Sequence, residues 1–245
     1  MPYSRPQPID KATIYQEWKH LIPGALALAL NAGFINSVVL GFFDTPVSHM
    51  SGAVSQLGIH IAGRQTLESI EAILIIVGFF FGSLIAGAVI GAFKLMPGRR
   101  YGGLMILQGV LLLLATVFLL QKSAAGLVLA ALACGVQNGM SSSYCGLATR
   151  TTHVTGTVTD LGVLIGQWIR HGEVKTWKVY YFFGLIFAFG LGGVTGAFFN
   201  IAYGPVCLFL PSFATLFAGI AFYAVMQREY SLDESRKDEK MALAD

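Results

Sequence analysis

Residues 73–93 read ILIIVGFFFGSLIAGAVIGAF, a continuous apolar run without one Asp, Glu, Lys or Arg. About 20 such residues let an α-helix cross the hydrocarbon core of a bilayer. The stretches 103–120 and 179–199 are equally free of charge. No water is available at that depth to satisfy backbone N–H and C=O groups, so a crossing segment must be a helix or a strand of a closed barrel. Barrel strands alternate apolar and polar residues over segments of about ten. These runs do not alternate, and helices are the outcome.

Composition agrees. The chain of 245 residues is 55% hydrophobic and 12% charged, about half the charged fraction of a soluble domain. Its mean hydropathy is +0.66. The first 20 residues are polar and carry Pro2, Pro6 and Pro8, so the first span is expected to act as its own insertion signal. Cys134, Cys145 and Cys207 stand at no metal-ligand spacing and read as small buried hydrophobes. No phosphate-binding loop, nucleophile elbow or HExxH occurs, and no basic, aromatic-interleaved stretch suggests nucleic acid. Neither a cofactor, a metal nor a catalytic set is expected.

Apolar runs between Gly, Pro and charge breaks give six spans near 22–43, 72–93, 102–120, 125–146, 179–201 and 205–226. Segments 48–62 and 153–169 are helix-like but rich in Ser, Thr, His, Gln and Asp. If only the six runs cross, one side holds Arg5, Lys11, Lys19, Lys94, Arg99, Arg100, Arg150, Arg170, Lys175, Lys178, Arg228, Arg236, Lys237 and Lys240. The other holds Arg64 and Lys122. Positive charge stays in the cytoplasm, so both termini are assigned there and the two polar segments are read as non-spanning. The organisation follows: a cytoplasmic segment 1–21, a three-helix unit 22–121, a second at 122–226, and a tail 227–245 expected to be solvated and frayed.

The two units are related. Residues 48–58, SHMSGAVSQLG, recur at 152–162 as THVTGTVTDLG. His49/His153, Gly52/Gly156, Val54/Val158, Leu57/Leu161 and Gly58/Gly162 are identical, and three further positions exchange Ser for Thr. Upstream, Gly33 and Asn36 match Gly135 and Asn138; downstream, Gly87, Gly91, Ala92 and Phe93 match Gly192, Gly196, Ala197 and Phe198. Three spans per copy, an odd number, invert the second copy, a construction recurrent among transporters. The expected fold is therefore an all-α membrane protein of six transmembrane helices in two inverted three-helix repeats, each with a short polar helix that does not span.

The runs NAGFIN (31–36), SHMSG (48–52), GVQNG (135–139) and THVTG (152–156) resemble the motifs of the YoaK family of bacterial membrane proteins, over about residues 20–225. The resemblance implies an integral inner-membrane protein and supplies no substrate. The chain departs from the family's pattern at Ala53, which follows Ser51 and Gly52.

Thr45, Pro46 and Ser48, like Thr151 and Thr152, are residues suited to the start of a helix. The dipole's positive end there favours an anionic or carbonyl-bearing ligand. His49 and His153 are expected within those first turns, and an unperturbed imidazole changes charge near neutral pH. Polar residues at membrane depth are costly and tend to be functional, which adds Asn36 and Asn138. The candidate substrate-binding set is Asn36, Ser48, His49, Ser51, Asn138, Thr152, His153, Thr155 and Asp160. Asp160, opposite Gln56 in the other copy, reads either as a coupling site or as a solvated position. Packing is the competing role for Gly52, Gly58, Gly156 and Gly162, and the principal one for the small-xxx-small pairs Gly87/Gly91 and Gly192/Gly196. Two functions lead, a small-solute secondary transporter working by alternating access, or a non-transporting scaffold or intramembrane enzyme using the histidine pair; a third, a passive channel, requires a continuous polar pore through helices that are mostly apolar. The bilayer and a small-molecule or anionic substrate are the expected partners.

Overall fold

The computed structural model describes residues 11–91, 98–141 and 151–242. Their regular structure is helical throughout: α1 Lys11–Phe43, α2 Met50–Ala62, α3 Thr66–Ile90, α4 Arg99–Leu120, α5 Ala124–Ser141, α6 Val154–His171, α7 Thr176–Tyr203, a 3-10 turn Gly204–Leu208, and α8 Phe209–Ala242. Five runs are long and apolar enough to cross a bilayer: Ile22–Phe43, Thr66–Ile90, Arg99–Leu120, Ala124–Ser141 and Thr176–Leu232. This is a multi-pass membrane protein. The fifth run has 57 residues, which as one helix would measure about 85 Å at 1.5 Å per residue. It is divided instead by the 3-10 turn, entered through Gly204 at φ 63°, a conformation that favours glycine.

Neither α2 nor α6 belongs to a crossing run. α2 has 13 residues, about 20 Å of helix against a core of about 30 Å. Two boundaries differ from expectation. The segment before residue 22 is helical from Lys11, continuous with the first span. The tail is not frayed: α8 continues through it to Ala242. Residues 231–242 contain neither Gly nor Pro and are rich in Glu, Lys, Arg, Ala, Leu and Met, all good helix formers. Cys134 and Cys207 are buried; Cys145 lies outside the described residues.

Packing follows the logic of lipid rather than water. The buried positions of α3 are Ala72, Ile75, Gly78, Gly82, Ala86 and Ile90, mostly small and spaced three or four apart. Phe80 and Phe81 on the same helix are exposed, as are Phe183 and Phe187 on α7. Small residues on one stripe let backbones approach, while bulky ones face an apolar solvent.

α1 packs on α7, α3 on α5, α4 on α8 and also on α5, with α2 lying on α3 and α6 on α7. At Gly33 an added methyl would run into the Phe189 carbonyl; at Gly192, into that of Leu30. On the other crossing, Gly135 meets the Phe79 carbonyl and Gly82 that of Leu132. The two crossings thus use corresponding residues. They equate Gly82, not Gly87, with Gly192, so the downstream sequence match was five residues out of register. Gly87 has nothing within 4 Å and Gly91, at φ 72°, ends α3. Their expected packing role is not realised, whereas Gly192 and Gly196 do pack, against α1.

A methyl at Gly33 meets backbone, which no rotamer change relieves. Gly33→Ala is expected to destabilise by about 1–3 kcal/mol, the usual cost of overpacking. Gly162, with nothing within 4 Å, tolerates alanine and can gain about 0.4–1 kcal/mol. Thermal unfolding in detergent compares them; equal melting of Gly33→Ala and wild type would refute the tight crossing.

Candidate functional site

The connections into α2 and α6 are each tied to the preceding span by an asparagine. Asn36, buried on α1, accepts at Oδ1 a 2.7 Å hydrogen bond from Ser48 Oγ. Asn138, buried on α5, donates through Nδ2 to Thr152 Oγ1 and accepts at Oδ1 a 3.3 Å bond from the Thr152 amide. The same amide–hydroxyl clasp thus recurs at matching places in the two copies. Hydroxyls expected to cap the helices are spent elsewhere: Thr45 Oγ1 donates to the Phe43 carbonyl at 2.9 Å, and Ser48 and Thr152 bond the asparagines. His49 and His153 themselves occupy the N-cap positions, with no side-chain cap bond at either helix. The first-turn N–H groups therefore lack the usual capping oxygen. Pro46 precedes α2 and packs against Gly52 of its first turn.

The two helix starts meet at one cavity of about 490 Å³. Ser48, His49 and Ser51 line it from the first copy; Asn138, Thr152, His153 and Thr155 line it from the second. Asn36 stands one step behind, bonded to Ser48. Asp160 is not brought there: it is exposed on α6, a helix that buries no residue. Phe79 and Ser83 of α3 also line it, and Ser83 Oγ donates to the Gly135 carbonyl at 3.1 Å. No Asp, Glu, Lys or Arg is among the lining residues, and among the described residues no His, Cys, Asp and Glu cluster could hold a metal ion.

The histidines differ. His49 lies 3.2 Å through Nδ1 from Asn36 Oδ1 and 2.9 Å from Ser48 Oγ, and its ring meets Phe189 edge-on at 5.6 Å. Because the Ser48 hydroxyl already donates to Asn36, the network is satisfied when Nδ1 carries the proton and donates to either oxygen. His49 lies in a connection outside the crossing helices. Burial, and secondarily the neighbouring His153, hold its pKa below the ordinary imidazole value. The His153 ring instead folds back over Gly156, where an added methyl would collide with it. It is exposed.

Gln137 escaped the sequence reading, although it lies within GVQNG. Its Nε2 donates to Thr151 Oγ1 at 2.8 Å and to the Leu28 carbonyl of α1 at 2.9 Å. Its Oε1 accepts from Gln108 Nε2 of α4 at 2.6 Å. One buried amide thus joins α1, α4 and α5 to the connection preceding α6. A glutamine inside an apolar span was the available signal.

A helical multi-pass membrane protein with paired polar helix starts around a shared cavity is the class defined by this arrangement. The chain belongs to the DUF1275 family, described as a protein of unknown function, whose family model matches residues 24–221. The YoaK resemblance is to a member of that family. No curated protein and no solved structure matches the chain.

Asn36→Leu removes the acceptor that Ser48 and His49 share, leaving the hydroxyl and Nδ1 only each other. A cost of about 1–3 kcal/mol is expected, with faster hydrogen exchange at residues 50–53; unchanged exchange there would refute the clasp. A His49 pKa lowered by folding means that the unfolded state binds more protons in acid. Stability is then fully present above the ordinary imidazole pKa of about 6.5 and is lost as pH falls through the lowered folded value. His49→Gln should melt with a flatter dependence between pH 7.5 and 5.5 than wild type, and parallel curves would contradict this.

Proposed function

We propose that the protein is a small-solute secondary transporter in which two inverted three-helix repeats alternate access to the shared cavity. The observation that carries this reading is the pairing across one cavity of Ser48 with Thr152, His49 with His153 and Ser51 with Thr155. Each pair comes from corresponding positions of the two copies. The matched crossings of α1 on α7 and α5 on α3 support it, because a two-fold axis in the membrane plane exchanges them. In this reading α1, α3, α4, α5, α7 and α8 each cross once. The positive-inside charge split puts both termini in the cytoplasm of a cell whose inner membrane holds the protein.

The lining suggests the solute. Hydroxyls, an amide, two imidazoles and two uncapped helix starts offer hydrogen-bond donors without any neutralising cation or competing carboxylate. Such a site suits a small polar solute bearing a carbonyl or an anionic group, held by donors and dipoles.

One asymmetry supports alternation. α4 packs along α5, whereas its counterpart α8 touches α1 at only a few residues. In an inverted-repeat transporter, exchanging such an asymmetry between the copies yields the state open to the other side.

A thermal-shift screen of the purified protein against small carboxylates and inorganic anions identifies a ligand through stabilisation of the folded state. Uptake of that ligand into proteoliposomes then tests transport. The doubly substituted H49A/H153A protein is expected to lose at least about tenfold in apparent affinity, equivalent to one 1.4 kcal/mol interaction. Unchanged uptake by that variant sinks the reading, as does a ligand that binds but is never carried across.

A further inference from the structure

A second cavity, of about 370 Å³, opens where α3 ends, α4 begins and α8 passes. Ile90, Arg99, Arg100, Met226, Glu229 and Tyr230 line it, and it shares no residue with the paired-histidine cavity. α3 stops at Ile90 and α4 starts at Arg99, so it sits where two spans meet the bilayer–water boundary.

Both arginines are held by neutral groups. Arg99 Nη1 donates to Gln227 Oε1 at 2.8 Å, and its guanidinium lies 4.4 Å from the Tyr230 ring centroid. Arg100 Nη1 donates to the Val89 carbonyl at 3.1 Å. Among the described residues neither forms an ion pair with a carboxylate, that of Glu229 included. A guanidinium has five N–H donors, and one hydrogen bond apiece uses few of them. Two oriented guanidiniums beside one cavity, with no carboxylate paired to either among the described residues, are a strong arrangement for phosphate, which Arg binds through paired hydrogen bonds. Ile90, Met226 and the Tyr230 ring add apolar surface next to that charge.

We infer that this cavity binds a phosphate-bearing anion at the membrane interface, with Arg99 and Arg100 as its ligands. An anionic phospholipid headgroup and a soluble phosphoester offer the same chemistry. Basic pockets between membrane helices commonly take the former. The apolar wall suits the glycerol and acyl root of a lipid. This inference stands independently of any transport activity.

Native mass spectrometry of the full chain in neutral detergent tests it, with phosphatidylglycerol, phosphatidylcholine and sn-glycerol 3-phosphate as probes. Wild type is expected to retain phosphatidylglycerol over phosphatidylcholine, whose phosphate is offset by its own cation. R99Q/R100Q should weaken retention by about tenfold or more, because the charge-assisted hydrogen bonds to phosphate are lost. R228Q, on α8 but outside the cavity lining, should leave it unchanged. The singles R99Q and R100Q, each weaker by several-fold, serve if the double variant does not fold. Arginine-dependent retention of glycerol 3-phosphate in place of the lipid supports the site and assigns it a soluble phosphoester. Equal retention by wild type and R99Q/R100Q, an equal loss in R228Q, or equal retention of phosphatidylcholine overturns the proposal.

Discussion

Contact between glycine and backbone carbonyl at two helix crossings is the constraint on which the molecule depends. In lipid there is no hydrophobic gain from hiding a leucine between helices, because the tails outside are as apolar as the side chain. Association has to come from close packing, and the closest packing is backbone on backbone. Gly33 and Gly192 provide this between α1 and α7; Gly82 and Gly135 provide it between α3 and α5. Phe80 and Phe81 on α3 and Phe183 and Phe187 on α7 are thereby turned outward, while glycine stands at the points where the backbones touch.

The polar cavity is a consequence of those crossings. Asn36 lies one turn beyond Gly33 on α1, and Asn138 one turn beyond Gly135 on α5, so each clasp begins where a helix is already fixed. From there Ser48 and Thr152 hold the following connections, and His49 and His153 come to the helix caps. Burying an amide at this depth without a partner would cost several kcal/mol, and both asparagines meet that cost with hydroxyls from their own copy. The positioning is therefore rigid on the span side. On the other side α6 buries no residue at all and is held by the half-buried Leu161 and Leu164, which pack against the α1–α7 cluster.

Much of this was legible in the sequence, for identifiable reasons. Charge-free runs follow from the bilayer's cost for ions, so crossing segments and the two polar helices were readable. Identity between the copies at His49/His153 and Asn36/Asn138 pointed to the residues that meet around the cavity. The register of α3 against α7 was not legible. Both helices carry several glycines at similar spacing, and only the partner carbonyl distinguishes Gly82 from Gly87. Capping was misread because Ser48 and Thr152 are equally suited to a helix N–H and to an asparagine, a choice decided by which lies nearer in space. Gln137 has no counterpart signal, since the corresponding residue of the first copy is Ile35. Asp160 drew attention by its charge, yet its position on α6 keeps it from the cavity.

The substitution of Gln137 for Ile35 bears on how the two halves can differ in state. Gln137 ties α5 to α4 through Gln108 and to α1 through the Leu28 carbonyl, and α4 is the helix that packs along α5 while α8 stands nearly clear of α1. Ile35 can pack but can form no such bonds, so the bonded arrangement is available to one copy only. Under the proposed alternation the two end states are then unequal in energy, the present one being held by polar bonds that its mirror image lacks. Gln108 Oε1, buried without a hydrogen-bond partner, offsets part of that hold, because an unsatisfied buried acceptor costs about 1–3 kcal/mol. A network that is strong but incompletely satisfied suits an element that must release: it fixes one state without making departure from it prohibitive.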